Sequence, residues 1–157
     1  MAQGVRRVDS TDMVTIPDQV RELLATGPLA HVVTIDPDGT PHVTLSWAGF
    51  DGDELVMATF YRLDQRKLAN MRRDPRVVVS FQAKEPGDGF LWPYAVIQGR
   101  ARITHGGALE VMDRLAEAYL GPGQRYPMRD APEGVVVHVE VDRIYGVGPW
   151  SEEPAST

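Results

Sequence analysis

Two turn signals, Asp36-Pro37-Asp38-Gly39-Thr40 and Asp51-Gly52-Asp53, constrain what this chain can fold into more than any other feature. Each lies between stretches that alternate with period two. Leu29, His31, Val33 and Ile35 alternate with Ala30, Val32 and Thr34. In His42 to Phe50, Val43, Leu45 and Trp47 share one face, and Leu55 to Phe60 makes a third run. Alternation bounded by Asp-Gly chemistry is the sequence pattern of hairpins. Tight turns make neighbouring strands antiparallel, whereas a parallel nucleotide-binding sheet needs a crossover helix between strands. A doubly wound fold is therefore disfavoured, and 29–60 reads as a meander.

Further strands follow at about 76–82, at 95–104 with Ala95, Ile97, Gly99, Ala101 and Ile103 on one face, and at 135–141 with Val135, Val137, Val139 and Val141. A short piece is expected after that, near Ile144 to Val147. Helices are few. One is expected over about 16–26, with Thr15 as cap and Gly27-Pro28 as stop. A second spans 64–73 and ends at Asp74-Pro75, and a third covers about 106–120. Six or seven strands with peripheral helices avoid exposed edges best by closing on themselves. The expected class is mainly β, a small antiparallel β-barrel. Residues 1–13 and 151–157 have the composition of tails, leaving 14–150 as a single domain.

The chain of 157 residues carries a net charge of -6 and no cysteine. Disulfides, thiolate metal sites and a cysteine nucleophile are thereby excluded. No run of about 18 apolar residues suggests a membrane span, and the start lacks the apolar stretch of a secretory signal. The expectation is a cytoplasmic protein that binds neither membrane nor nucleic acid, whose binders are usually basic. The acidic total nevertheless hides a gradient. Arg62, Arg66, Lys67, Arg72, Arg73 and Arg76, against Asp64 and Asp74, give 62–76 a charge of +4 and leave -10 elsewhere. A solvated helix face would account for such a run. The segment also follows a strand ending Met57-Ala58-Thr59 and spans a helix start, where backbone N–H groups, a hydroxyl, Arg and Lys suit a phosphate.

Other chemistry finds no support. His31, His42, His105 and His138 lack metal-ligand spacing, and no metal site is expected. Ser46 and Ser80 lie on strands without a nucleophile elbow. Trp47 suits a core, while Trp92, Tyr94 and Trp150 flank turns, where large rings line pockets or interfaces. No side chain is marked out for proton transfer, so a catalytic residue is not assigned. That fits chemistry supplied by a cofactor.

Taken together, Asp36 to Thr44, Trp47, Asp51 to Leu55, Thr59 to Arg76, Ile97-Gln98-Gly99-Arg100-Ala101 and Gly146 to Trp150 resemble the pyridoxamine-phosphate-oxidase-like split β-barrel superfamily. Within it the chain is most similar to the flavin/deazaflavin oxidoreductases of the B class, which use coenzyme F-420. The resemblance covers about 16–150. It implies an FMN-binding-protein-like split barrel, a homodimer with cofactor sites between subunits, and reduction of a conjugated small molecule by hydride from the deazaflavin. By position it assigns the cofactor phosphate to Thr59, Arg66 and Lys67, supported by Asn70, with Arg62 and Gln65 in the same stretch. Ser46, Trp47, Met57 and Ala58 are expected along the ring. Trp150 would close the cofactor site, and Trp92 and Tyr94 the substrate pocket. An FMN-dependent oxidoreductase and a non-catalytic flavin- or haem-binding module are the alternatives. The Arg-His pair that oxidases of pyridoxamine phosphate carry near the C-terminus has no counterpart here.

Overall fold

Both hairpins form at their turn signals. In the computed structural model, which describes residues 6–7, 14–60, 65–88 and 90–151, strands β2 (Ala30–Ile35) and β3 (Pro41–Ser46) pair antiparallel from Ala30↔Ser46 to Ile35↔Pro41. The turn between them holds Gly39 at φ 87, with the Gly39 N–H donating to the Asp36 carbonyl at 2.9 Å. A left-handed residue there is why the turn carries glycine. β4 (Gly49–Asp51) and β5 (Glu54–Phe60) make the second hairpin across Gly52.

The remaining strands are β1 (Arg6–Arg7), β6 (Arg76–Gln82), β7 (Tyr94–His105) and β8 (Gly134–Val147). Every pairing is antiparallel, in the order β3-β2-β6-β7-β8-β5-β4, with β1 added to β8. β3 and β4 stand at opposite ends of that order, yet only Trp47 and Ala48 separate them in the chain. The sheet thus returns on itself through a two-residue peptide link and not through a ladder, which is the split barrel.

Period two decides what fills it. Ala30 and Val32, Leu55 and Met57, Val77, Val79 and Phe81, Ala95 and Ile97, and Val135, Val137 and Val139 all point inward and are buried in one cluster. Each aliphatic chain so buried contributes about 1.5–3 kcal/mol. β5 is covered on its outer face too, where Ala58 and Phe60 meet Ala108 of helix α3 (Ala108–Leu120). Burial on both faces explains why its sequence runs apolar without a break. Helix α1 (Asp18–Ala25) packs beside β4, and α2 (Gln65–Arg73) lies over β2 and β7.

Some expectations are corrected. Pro17, not Thr15, occupies the N-cap of α1, and no side chain caps it. The final strand and the short piece after it are one strand of 14 residues. A register shift at Gln98/Gly99 lets β7 bend along it. Arg6–Arg7, within the stretch expected to be a tail, pairs with Arg143 and Ile144. Val43 and Leu45 face solvent, at 55% and 53% exposure.

Candidate functional site

The break between β3 and β4 is where the candidate site forms. Strand β3 ends at Ser46 because Trp47 leaves the ladder and lays its indole flat on Tyr119 of α3, at 5.0 Å between centroids and 8° between planes. The Tyr119 hydroxyl donates to the Pro28 carbonyl at 2.7 Å and accepts the Ala48 N–H at 3.0 Å. One phenol thereby ties α3, the end of α1 and the β3–β4 link together. Burial pushes its pKa up, partly offset by the Ala48 backbone contact. Tyr126 makes a T-shaped contact with Trp47 at 5.9 Å and stacks on Phe60 at 5.5 Å.

These residues bound a cleft of about 310 Å³ lined by Leu29, Leu45, Ser46, Trp47, Ala58, Thr59, Phe60, Met112 and Tyr126. No charged side chain is among them. Three aromatic faces beside the small Ala58 suit a planar, uncharged ring. Four of the expected residues, Ser46, Trp47, Ala58 and Thr59, meet here. Met57 does not: the period-two pleat turns it into the barrel core at 1% exposure, and the ring-lining expectation for it is withdrawn.

Helix α2 begins at Gln65, five residues past the last strand residue beside the cleft. Its inner face holds a polar cluster instead of an open anion site. The Asn70 amide donates to Thr34 Oγ1 at 3.1 Å and to Asp36 Oδ1 at 2.9 Å, while its oxygen accepts Arg73 at 3.1 Å. Arg66 donates to the Asp36 carboxylate through Nε at 2.9 Å and again through Nη2, and Arg73 donates to the Ile35 carbonyl. Hydrogen bonds from Arg66 first, and from Asn70 next, hold the Asp36 carboxyl below its ordinary range. Asn70 therefore fastens α2 to β2, with its amide directed into the protein. Lys67 is buried as well, at 2% exposure. Arg62 lies outside the described residues, and of Gln65 the backbone alone is described.

The three C-terminal aromatics take other places. Trp92 is 47% exposed ahead of β7, and Tyr94 is half-buried where β7 starts, paired with Gln82 and Val147. Trp150 packs against the barrel core, its indole N–H buried without an acceptor among the described residues. None of the three lines the cleft within this chain. Conversely, sequence reasoning missed Phe60, Met112 and Tyr126. The Ala58-x-Phe60 spacing placed Phe60 on Ala58's face, but nothing local placed Tyr126, which reaches the cleft from a loop by tertiary packing. Among the described residues, no three His, Asp or Glu side chains gather as a metal site would require, and no helix is long and apolar enough to cross a membrane.

A profile of the pyridoxamine 5'-phosphate oxidase family matches residues 16–148, nearly the whole barrel. The chain belongs to that family. Among similar solved structures, an F420 reductase is 25% identical with a TM-score of 0.65, covering 82% of this chain and 98% of that one. A conserved hypothetical protein of Mycobacterium tuberculosis is 22% identical (TM-score 0.63; 96% and 98% covered), and a FAD-binding protein of Mesorhizobium loti 17% (0.58; 90% and 96%). The latter two likenesses speak to the fold alone. For this member of the family, the split-barrel architecture expected from its sequence is the one observed.

Proposed function

We propose that this family member is an oxidoreductase that binds coenzyme F-420 and reduces a conjugated small molecule such as an enone, a quinone or a tetrapyrrole. The observation that carries the reading is the uncharged aromatic cleft bounded by Trp47, Ala58, Phe60 and Tyr126, with α2 following β5 in the chain a few residues beyond Thr59. The similarity to an F420 reductase supports the same choice. Bound there, the reduced deazaflavin would supply a hydride, with water providing the proton that completes reduction of the acceptor. The chain's own part is to bind and orient. Trp47, Phe60 and Ala58 would give the ring its plane, Thr59 and the first N–H groups of α2 would meet the phosphate, and Leu29, Leu45 and Met112 would give the cleft its apolar wall. FMN on the same barrel is the competing cofactor.

We also propose that the protein is a homodimer. Leu29, Val43 and Leu45 are each at least half exposed, and the outer face next to them bears a groove of about 510 Å³ in which Val33, Ile35 and Val78 are rimmed by Arg76, Gln98, Asp142 and Arg143. Exposed aliphatic side chains gathered on one face are what an interface would cover. In the pair, Trp92, Tyr94 and Trp150 of the second copy would complete the cleft.

Fluorescence titration with F-420 beside FMN, followed by an acceptor screen with reduced F-420, tests the reading. F-420 is expected to bind and turn over. Tight FMN binding with no F-420 affinity would overturn the cofactor choice, and binding of either without turnover would leave a carrier module. Sedimentation tests the pair, a monomer at micromolar concentration being the contrary result.

A further inference from the structure

The loop from Gly121 to Glu133 has no helix or strand, yet it is docked on the cleft. Tyr126 and Ala131 pack with Ala58, Phe60, Ala108, Val111 and Met112 in a small apolar cluster apart from the barrel core. The loop's tethers converge on a single carboxylate of α3. Asp113 accepts the Tyr126 N–H at 2.9 Å, Arg129 at 2.6 Å and 3.2 Å, and Arg125 at 3.4 Å. Arg129 also donates to the Tyr126 carbonyl at 3.1 Å. Both backbone polar groups of Tyr126 are thus held from one point, and its ring bridges the cleft between a T-shaped contact with Trp47 and a stack on Phe60.

With the phenol in place the cleft measures about 310 Å³. Pockets for small molecules run to ~300–1,000 Å³, so this one sits at the floor of the range and gives a three-ring system little room while the phenol stays. Glycines with positive φ at 121 and 123 give the loop its bend next to α3. Leu29 and Trp47 also lie outside helix and strand, but in links of two to four residues, whereas Tyr126 is carried on a loop of 13.

We propose that Tyr126 is the removable wall that sets the size of ligand the cleft admits, and that Asp113 is the residue that positions it. The inference rests on reading the cleft as a ring site. Entry of a planar ring requires Tyr126 to leave Phe60, and the Asp113 contacts set how often it does. Tyr126 is a specificity-determining residue, and Asp113 acts only through it.

Hydrogen exchange and stopped-flow binding test both parts on the full chain. Asp113→Asn is expected to speed exchange of the Tyr126 amide by about tenfold or more. Asp113→Asn and Tyr126→Ala should raise association rates for F-420, FMN and the neutral planar dye Nile red by about tenfold, because an open form is typically a ~0.1–10% minority. Tyr126→Phe keeps the ring and should keep wild-type rates. Arg129→Gln, which removes both Arg129 contacts to Asp113 and the one to the Tyr126 carbonyl, replaces Asp113→Asn if the latter does not fold. Unchanged exchange refutes the role of Asp113, and wild-type association by Tyr126→Ala refutes the wall. If neither cofactor binds but the dye follows the expected pattern, the oxidoreductase reading fails and the wall stands. If F-420 turns over while all variants bind at wild-type rates, the reverse holds. Failure of all three probes to bind any of the proteins overturns the inference.

Discussion

Replacing Asn70 by alanine separates two roles that its sequence position left together, ligand support and internal fastening. Asn70 is 2% exposed, and its amide serves Thr34 Oγ1 (3.1 Å) and Asp36 Oδ1 (2.9 Å), both on buried residues. Truncation leaves the Thr34 hydroxyl without that donor in the barrel wall. An orphaned buried polar group costs about 1–3 kcal/mol, and a hydrogen bond to a charged group contributes about 1.5–3. Asp36 retains Arg66 at 2.9 Å, so its loss falls at the lower end. We expect Asn70→Ala to be destabilised by about 2–4 kcal/mol, or roughly 4–16 °C in Tm for a chain of this size. Urea unfolding followed by circular dichroism measures it, with an unchanged m-value showing that the same surface is exposed. Asn70→Asp, nearly isosteric, sets a carboxylate against Asp36 and should be worse at neutral pH. A loss below about 0.5 kcal/mol, the level of an ordinary surface substitution, would refute the fastening argument. F-420 affinity that collapses in a variant of wild-type stability would return Asn70 to the ligand.

Tyr119→Phe keeps the stack on Trp47 but leaves the Ala48 N–H, on a residue 1% exposed, without its acceptor. A loss of about 1–3 kcal/mol is expected in urea unfolding, with Trp47 still stacked. Gly134→Ala would put a Cβ 2.4 Å from the Thr59 carbonyl oxygen and 2.8 Å from the Ala108 Cβ. Overpacking of this kind costs about 1–3 kcal/mol, and because Thr59 and Phe60 must give way, F-420 affinity should fall alongside thermal stability. Asp74 and Asp113 are held at about 2, by Arg76 and by Arg129 respectively. A lowered carboxylate pKa contributes stability that is complete above the unfolded value of ~3.9 and is lost as pH falls to ~2. Urea midpoints should therefore drop between about pH 4 and 2, less steeply in Asp113→Asn.

How much was legible follows the range of the physics involved. The hairpins were readable because alternation and Asp-Gly turns act within a few residues. Membership of Ala58 and Thr59 in the cleft was readable by position, whereas Met57 was not, since assigning a run of three to one wall ignores the pleat. Trp47 looked like core because its strand appeared continuous. In the structure the strand breaks there, and the indole instead stacks on a tyrosine more than 70 residues away. Tyr126 lay further out of reach. Its place depends on an α3 carboxylate 13 residues upstream, and no periodicity relates a loop residue to such a partner.

The basic segment shows why a charge total is a poor measure of a site. Its six cations suggested one anion-sized field of +4. Asp36, outside the segment, takes Arg66, and Asp74, inside it, takes Arg76 at 2.7 Å. Arg73 is directed at a backbone carbonyl. Three of the six are thus committed to holding α2 against β2 and to the bend that leads into β6. Such contacts fix the helix axis, and with it the direction of its first N–H groups. An anion at this place would owe less to the number of arginines than to their having been tied down, because a pre-oriented backbone donor needs no reorganisation when the ligand arrives.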